Sequence, residues 1–552
     1  MKACFFYIFV FISFTFIKAQ IESVTFNSSN LPIFVINTHG QRIPDEPKIE
    51  VDLGIIYNGE GIRNKITDPF NEFNGKIAIE IRGSSSQMFP KKQYGFETID
   101  STGEDKDVSL LGFPTESDWI LYAPYSDKSL IRNVLAYKLA NNIGRYASRS
   151  RLCELVLNDE YMGVYVLLEK IKRNKDRVDI SKLTEADTTG DNLTGGYILK
   201  IDKKDGGYNS GWYSDYRPYS NAWQTIYIQY HYPKPESILD VQKKYIKSIV
   251  DSFETTMNSP EFADTLKGYT SFIDVESFVD YFILSELSRN VDAFRLSFFF
   301  YKDKNSKDKK IKAGPLWDLN LGFGNSDYYN ASSTEGWQIN YLTTDPTFLQ
   351  SDYYQVPFWW KKLFSDKEFK NKIKLRWKEF RENELSIPNI MAIIDSITIL
   401  LSESEERNFE RWDILDEYIW PNAYVGGSYE NEISYLKNWI INRLNWMDEE
   451  LDFIDDVSEK EKPVANNYYL FQNYPNPFNP STMIKYKIPE SGLVTIKVYD
   501  ALGREIATLV NEEKPAGSYE IEFDGSNLSS GVYFYRLNFD SFISIKKMIL
   551  LK

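Results

Sequence analysis

Two aspartates carry the most informative setting in the chain. Asp292 lies in Asn290-Val291-Asp292-Ala293-Phe294-Arg295, and Asp318 lies in Trp317-Asp318-Leu319-Asn320. The pattern predicts a helix that ends before Asn290, a loop holding Asp292, and a β-hairpin that runs out and back to Asp318. Such a hairpin sets the two carboxylates at corresponding ends of adjacent strands. A pair of this kind can hold Mg²⁺ and accept a hydroxyl proton, as phosphoryl transfer requires. It can equally be the acid and base of a glycosidase. The purely structural alternative is that Asp292 caps a turn and Asp318 starts a loop.

Residues for other chemistries are scarce. Of two cysteines, Cys4 falls in an N-terminal leader and Cys153 in a strand-like run, where a free cysteine behaves as a small buried apolar residue. One cysteine makes neither an internal disulfide nor a cysteine zinc cage. The two histidines, His39 and His231, are far apart and lie in no nucleophile-elbow or HExxH context. Chemistry in this chain therefore falls to carboxylates, lysine and a hard cation.

The elements that must position these groups can be read from periodicity. Lys76–Arg82 alternates as a strand, Gly83-Ser84-Ser85-Ser86 breaks it, and Gln93–Glu97 returns. Asp127 reads as the N-cap of a helix holding Leu130, Ile131, Val134, Leu135 and Leu139, with Gly144 past its end. Arg151–Leu157 and Tyr161–Leu168 pair around Asn158-Asp159-Glu160. Helices are expected over Val241–Met257 and over Val275–Leu287 behind the cap Asp274, and the pattern beyond residue 357 is mostly helical. The tyrosine-rich insert Gly206–Tyr232 is either a recognition platform for sugar or peptide or a loop packed over the core.

The ends differ from this body. Residues 1–19 combine Lys2, a mostly apolar stretch from Ala3 to Ile17, and a small residue, Ala19, as a secretory signal peptide does. No later segment has about 18 uninterrupted apolar residues, so no transmembrane segment is expected in the mature chain. The formal charge of −15 gives a surface that repels nucleic acid, and no basic run reverses it. Residues 456–466 form a polar, proline-bearing linker. Residues 467–552 hold short alternating runs separated by Gly and Pro breaks, which predict a small β-sandwich.

Two resemblances follow from quoted residues. The segment Asn473-Tyr474-Pro475-Asn476-Pro477-Phe478-Asn479-Pro480, with Val498-Tyr499-Asp500, Leu502-Gly503 and Gly531-Val532-Tyr533, resembles the C-terminal sorting domain of type IX secretion substrates. That implies an immunoglobulin-like β-sandwich, handling by the type IX machinery of a Gram-negative cell, and release or anchoring at the surface. The body resembles the CotH family. The matching pieces are Arg82-Gly83-Ser84-Ser85-Ser86 with Phe89-Pro90-Lys91-Lys92, Asp127–Asn133, Leu157–Tyr165 with Leu168-Glu169-Lys170-Ile171, Tyr232-Pro233-Lys234, and the two aspartate blocks.

The CotH resemblance implies an α+β, atypical protein-kinase-like domain over residues 20–455 with a helical C-terminal part. It implies transfer of the ATP γ-phosphate to protein serine or threonine hydroxyls with Mg²⁺ or Mn²⁺. Asp292 then matches the catalytic aspartate and Asp318 the metal-binding one, with Asn320 or Asn325 as a further oxygen donor. Lys92 or Lys91 would contact phosphate; Arg82 and Glu169 are further nucleotide contacts. Ordinary kinase features are missing: no GxGxxG loop precedes the lysines, no His-Arg pair precedes Asp292, and Ser297 stands where a metal-binding asparagine is usual. The competing expectations are a non-catalytic surface or matrix binding protein on the same fold and a carbohydrate-active enzyme.

Overall fold

A computed structural model describes residues 24–204, 209–452, 469–471, 473, 476, 478–539 and 542–551. The leader and the linker lie outside the described residues. The chain divides into two compact units, Met1–Ile454 and Asp455–Lys552.

The first unit begins with a closed barrel of the strands Ile33–Asn37, Ile49–Ile56, Phe73–Arg82, Gln93–Ile99, Asp118–Tyr122, Glu160–Glu169 and Ser150–Leu157, in that spatial order. Neighbours are antiparallel until the ring closes, where Ile33–Ile36 pairs in parallel with Glu154–Leu157. Closure leaves no sheet edge in the barrel. Strand alternation sends Ile77, Ile79, Phe96, Trp119, Leu121, Leu155 and Leu167 into its interior, where they form one core. Each such side chain removed from water contributes roughly 1.5–3 kcal/mol before entropy is counted. The opposite faces of the same strands, through Ile120, Tyr122, Leu152, Val164 and Val166, join a second and larger core.

That larger core is helical. The helix Arg132–Asn142 packs on the barrel's outer face through Val134, Leu135 and Leu139, buried almost all round. The expected cap at Asp127 is displaced: the helix starts at Arg132. Asp127 reaches it from five residues upstream, its Oδ2 accepting the Arg132 backbone N–H at 2.8 Å and its Oδ1 the Arg132 guanidinium at 2.6 Å. The cap at Asp274 is as expected, accepting the Ser277 N–H at 2.9 Å at the head of the helix Val275–Ser288. This helix packs near Lys367–Glu382 and Tyr429–Asp452. Glu286 and Arg443, both fully buried, join it to the last helix at 3.1 Å.

Between barrel and helices lies a second sheet, of order Gly211–Tyr213, Tyr227–Tyr232, Tyr197–Ile201, Phe298–Lys302, Ile311–Ala313. The aromatic insert thus supplies two strands. Trp212, Tyr227, Ile228 and Tyr230 are buried, while Tyr213 and Trp223 remain exposed. Among the described residues no single helix is long and apolar enough to cross a membrane.

The second unit holds two sheets over one core. Tyr469–Leu470, Ser481–Ile488 and Gly517–Asp524 form one; Glu505–Lys514, Gly492–Asp500, Gly531–Phe539 and Phe542–Leu550 form the other. Ile484, Tyr486, Val494, Ile496, Val498, Tyr535 and Leu537 fill the space between.

Candidate functional site

The helix Val275–Ser288 stops at Arg289, whose left-handed φ of +47° turns the chain out of the helix. The following loop carries Asp292, and the hairpin Phe298–Lys302/Ile311–Ala313 returns the chain to Asp318. Asn290 ties the two loops together: its amide donates to the Asp318 carbonyl at 3.2 Å and its Oδ1 accepts the Asp292 N–H at 3.3 Å. Asp318 adopts φ +60°, and Phe294 and Ser297 are also left-handed. Non-glycine residues hold this conformation only where their surroundings fix it. Here the fixing comes from the buried helix. The Tyr137 hydroxyl oxygen accepts the Asp318 N–H at 3.1 Å, Asn133 Oδ1 accepts the Leu319 N–H at 2.7 Å, and Tyr137 stacks on Trp317.

The two aspartates sense each other. The surrounding protein pushes the Asp318 carboxyl up to about 6, the Asp292 charge adds to that effect, and Arg82 opposes it. Asp292 is also raised, chiefly by burial, with Arg295 and Lys203 working against the rise. The Asp318 side chain is nonetheless open to solvent, so the pair sits in a recess accessible from outside. Arg82, at the end of its barrel strand, faces the recess: its guanidinium lies 5.7 Å from the Trp317 ring centre.

Sequence reasoning missed two members. Asp202 and Lys203 follow the strand Tyr197–Ile201, which pairs with Phe298–Lys302, and both act electrostatically on Asp318. Asp202 is raised by burial and, more weakly, by Asp292. The available signal was a strand, Tyr197-Ile198-Leu199-Lys200-Ile201, ending on an acid.

Other expected residues go elsewhere. Lys91 is buried against the barrel interior. Its Nζ donates to the Val164 carbonyl and to Asn408 Oδ1, both at 2.7 Å, and lies 5.2 Å from the Tyr165 ring centre. Burial pushes its ammonium well below the ordinary value. Gly163, at φ +94°, makes room for this contact: a Cβ there would stand 2.6 Å from Asn408 Oδ1. Lys92 Nζ donates to the Gln87 carbonyl at 2.6 Å. Glu169 is fully buried and held by Arg149 at 2.7 Å, Arg177 at 3.6 Å and the Tyr146 hydroxyl at 3.2 Å. The structure therefore brings Arg82 to the aspartates and commits Lys91, Lys92 and Glu169 to other partners. Asn320 lies two residues beyond Asp318, and its carbonyl accepts from Asn325 at 2.9 Å. The Asn325 Oδ1 is itself taken by Asn422 at 3.0 Å. His39 pairs with Asp52, and His231 contacts the Ile171 carbonyl.

The recess sets Asp202, Asp292 and Asp318 beside Arg82, Lys203 and Arg295, and the Asp318 side chain is the solvent-exposed acid among them. Mg²⁺ is commonly held by one or two carboxylates together with water and substrate phosphates. Among the described residues no three His, Cys, Asp or Glu side chains converge into an all-protein cage.

Two family models match the chain in sequence order. One, described as CotH kinase protein, spans residues 79–447; the other, described as secretion system C-terminal sorting domain, spans residues 472–551. The first covers more than half of the chain, and the chain belongs to the CotH family. The sorting domain supports type IX handling and export to the cell surface or beyond. No curated protein matches the chain.

Proposed function

We propose that the exported body is an atypical protein kinase that transfers the γ-phosphate of ATP to serine or threonine hydroxyls of a protein acceptor. The observation that carries this reading is geometric: Asn290 ties the Asp292 loop to the Asp318 loop, and Arg82 comes from the barrel to lie against Trp317, the neighbour of Asp318. In this reading the barrel is the upper lobe and the helical part the lower. Asp318, with Asn320 beside it, would hold Mg²⁺ or Mn²⁺, which when bound neutralises phosphate charge. Arg82, rather than Lys91 or Lys92, contacts phosphate from the barrel side. Asp292 accepts the acceptor's hydroxyl proton as the oxygen–phosphorus bond forms and the bond from the γ-phosphorus to the β-bridging oxygen breaks, leaving ADP.

A second reading, a non-catalytic binding protein on this fold, is favoured by the departures from ordinary kinase motifs, with Ser297 where a metal-binding asparagine is usual. Incubating the exported chain with labelled ATP, Mg²⁺ or Mn²⁺ and generic protein acceptors separates the two. Label in protein, lost in Asp292→Asn, supports the kinase. Absence of nucleotide binding under either metal leaves the binding protein.

A further inference from the structure

Arg295 is 3 % exposed and has more fixed partners than any group in the recess. Its Nη2 donates to Asp292 Oδ1 at 3.0 Å and its Nη1 to Asp352 Oδ2 at 3.2 Å. Nε donates to the Val291 carbonyl at 2.9 Å and Nη1 also to the Tyr354 carbonyl at 3.0 Å. The guanidinium lies 5.6 Å from the Tyr329 ring centre and 5.3 Å from that of Phe348, so it is packed between aromatic groups. Asp352 is held in turn by the Tyr329 hydroxyl at 2.8 Å, and its carbonyl accepts Gln224 Nε2 of the aromatic insert at 2.9 Å.

This network does more than neutralise a buried cation. One carboxylate would suffice for that, and Asp352 supplies it. The second arm of the fork instead fixes one oxygen of Asp292, the group that reacts in the proposed transfer. The other charged and titratable groups that act on Asp292 or feel it are Lys203, Asp202, Asp318, Asp352, Tyr281 and Tyr328. Arg295 alone among these has a hydrogen bond to the Asp292 side chain in the described residues. We propose that Arg295, braced by Asp352 and Tyr329, is the positioning residue that aims the Asp292 carboxylate at the acceptor hydroxyl. This rests on the kinase reading above.

The test uses the full exported chain with Arg295→Met, Arg295→Ala and Asp352→Asn. Displacement of a reacting group by about 1 Å costs on the order of 100-fold in rate. Arg295→Met is therefore expected to lower kcat about 100-fold with the KM for ATP within about threefold, and guanidinium added to Arg295→Ala should restore part of kcat. Asp352→Asn, which keeps the side-chain volume and serves if the arginine variants do not fold, should lower kcat about 10-fold. Crystal structures should show the Asp292 carboxylate turned from its wild-type orientation. A carboxylate that does not move, an unchanged kcat, or a loss confined to KM overturns the proposal. If the wild type transfers no phosphate, the kinase reading fails, and the carboxylate orientation alone decides whether Arg295 aims it.

Discussion

Asp318→Asn should make the protein more stable at neutral pH. An ordinary aspartate ionises near 3.8, whereas Asp318 is held up to about 6. For a fully enclosed carboxyl that difference equals a penalty of roughly 3 kcal/mol once the group is ionised. The Asp318 side chain is open to solvent, and screening reduces the expected effect to about 1 kcal/mol. In a unit of this size that is about 1–2 °C in Tm. The sign follows from linkage. The folded-state value lies above the unfolded one, so the contribution of Asp318 is most favourable below pH 4 and is lost as pH rises through 6. Asparagine tolerates left-handed φ well, so the backbone at φ +60° should be undisturbed. Scanning calorimetry of both proteins at several pH values between 4 and 8, without divalent cations, should show a gap that opens between pH 4 and 6. A variant less stable than wild type at pH 7.5, or a gap that does not change with pH, would refute the reasoning.

The remaining predictions concern ligand binding and the helical core. Titration calorimetry with ATP and Mg²⁺ should show that Asp318→Asn loses metal-dependent nucleotide binding, whereas Asp292→Asn keeps binding but loses label transfer. In the same titration Arg82→Met should weaken binding at least about 10-fold if Arg82 makes the phosphate contact proposed above, while Lys91→Met should leave it unchanged. Glu286→Gln should destabilise the first unit by about 3–5 kcal/mol in urea, because it leaves Arg443 charged and buried without a counterion.

Local order was legible in the sequence where one period dominated. The strands around Asn158-Asp159, the helix behind Asp274 and the hairpin between the aspartates all announce themselves by alternation, caps and turn residues. The barrel's closure was not, because it rests on a parallel pairing between residues more than a hundred positions apart. The strand Glu505–Lys514 has almost no buried face to mark it in sequence, because its tail, Asn511-Glu512-Glu513-Lys514, is polar and mostly exposed. At the site, the aspartate pair was readable from topology, but the choice between lysines was not. Lys91 is directed inward by a backbone carbonyl and by Asn408, which lies hundreds of residues away. Asp202 had only the weak signal of a strand ending on an acid, and Arg295 had none; their places come from which strand and which loop the fold sets beside Asp292.

The left-handed backbone at Asp318, Phe294, Ser297 and Arg289 also constrains how this region can be probed. An alanine scan would confound chemistry with conformation, since an L-residue pays roughly 1 kcal/mol for this geometry and alanine lacks the short polar side chain that eases it. Asparagine and glycine are the cleaner replacements. A homologue bearing glycine at the Asp318 position would have lost the charge while easing the turn, and could persist as a well-folded protein without the chemistry.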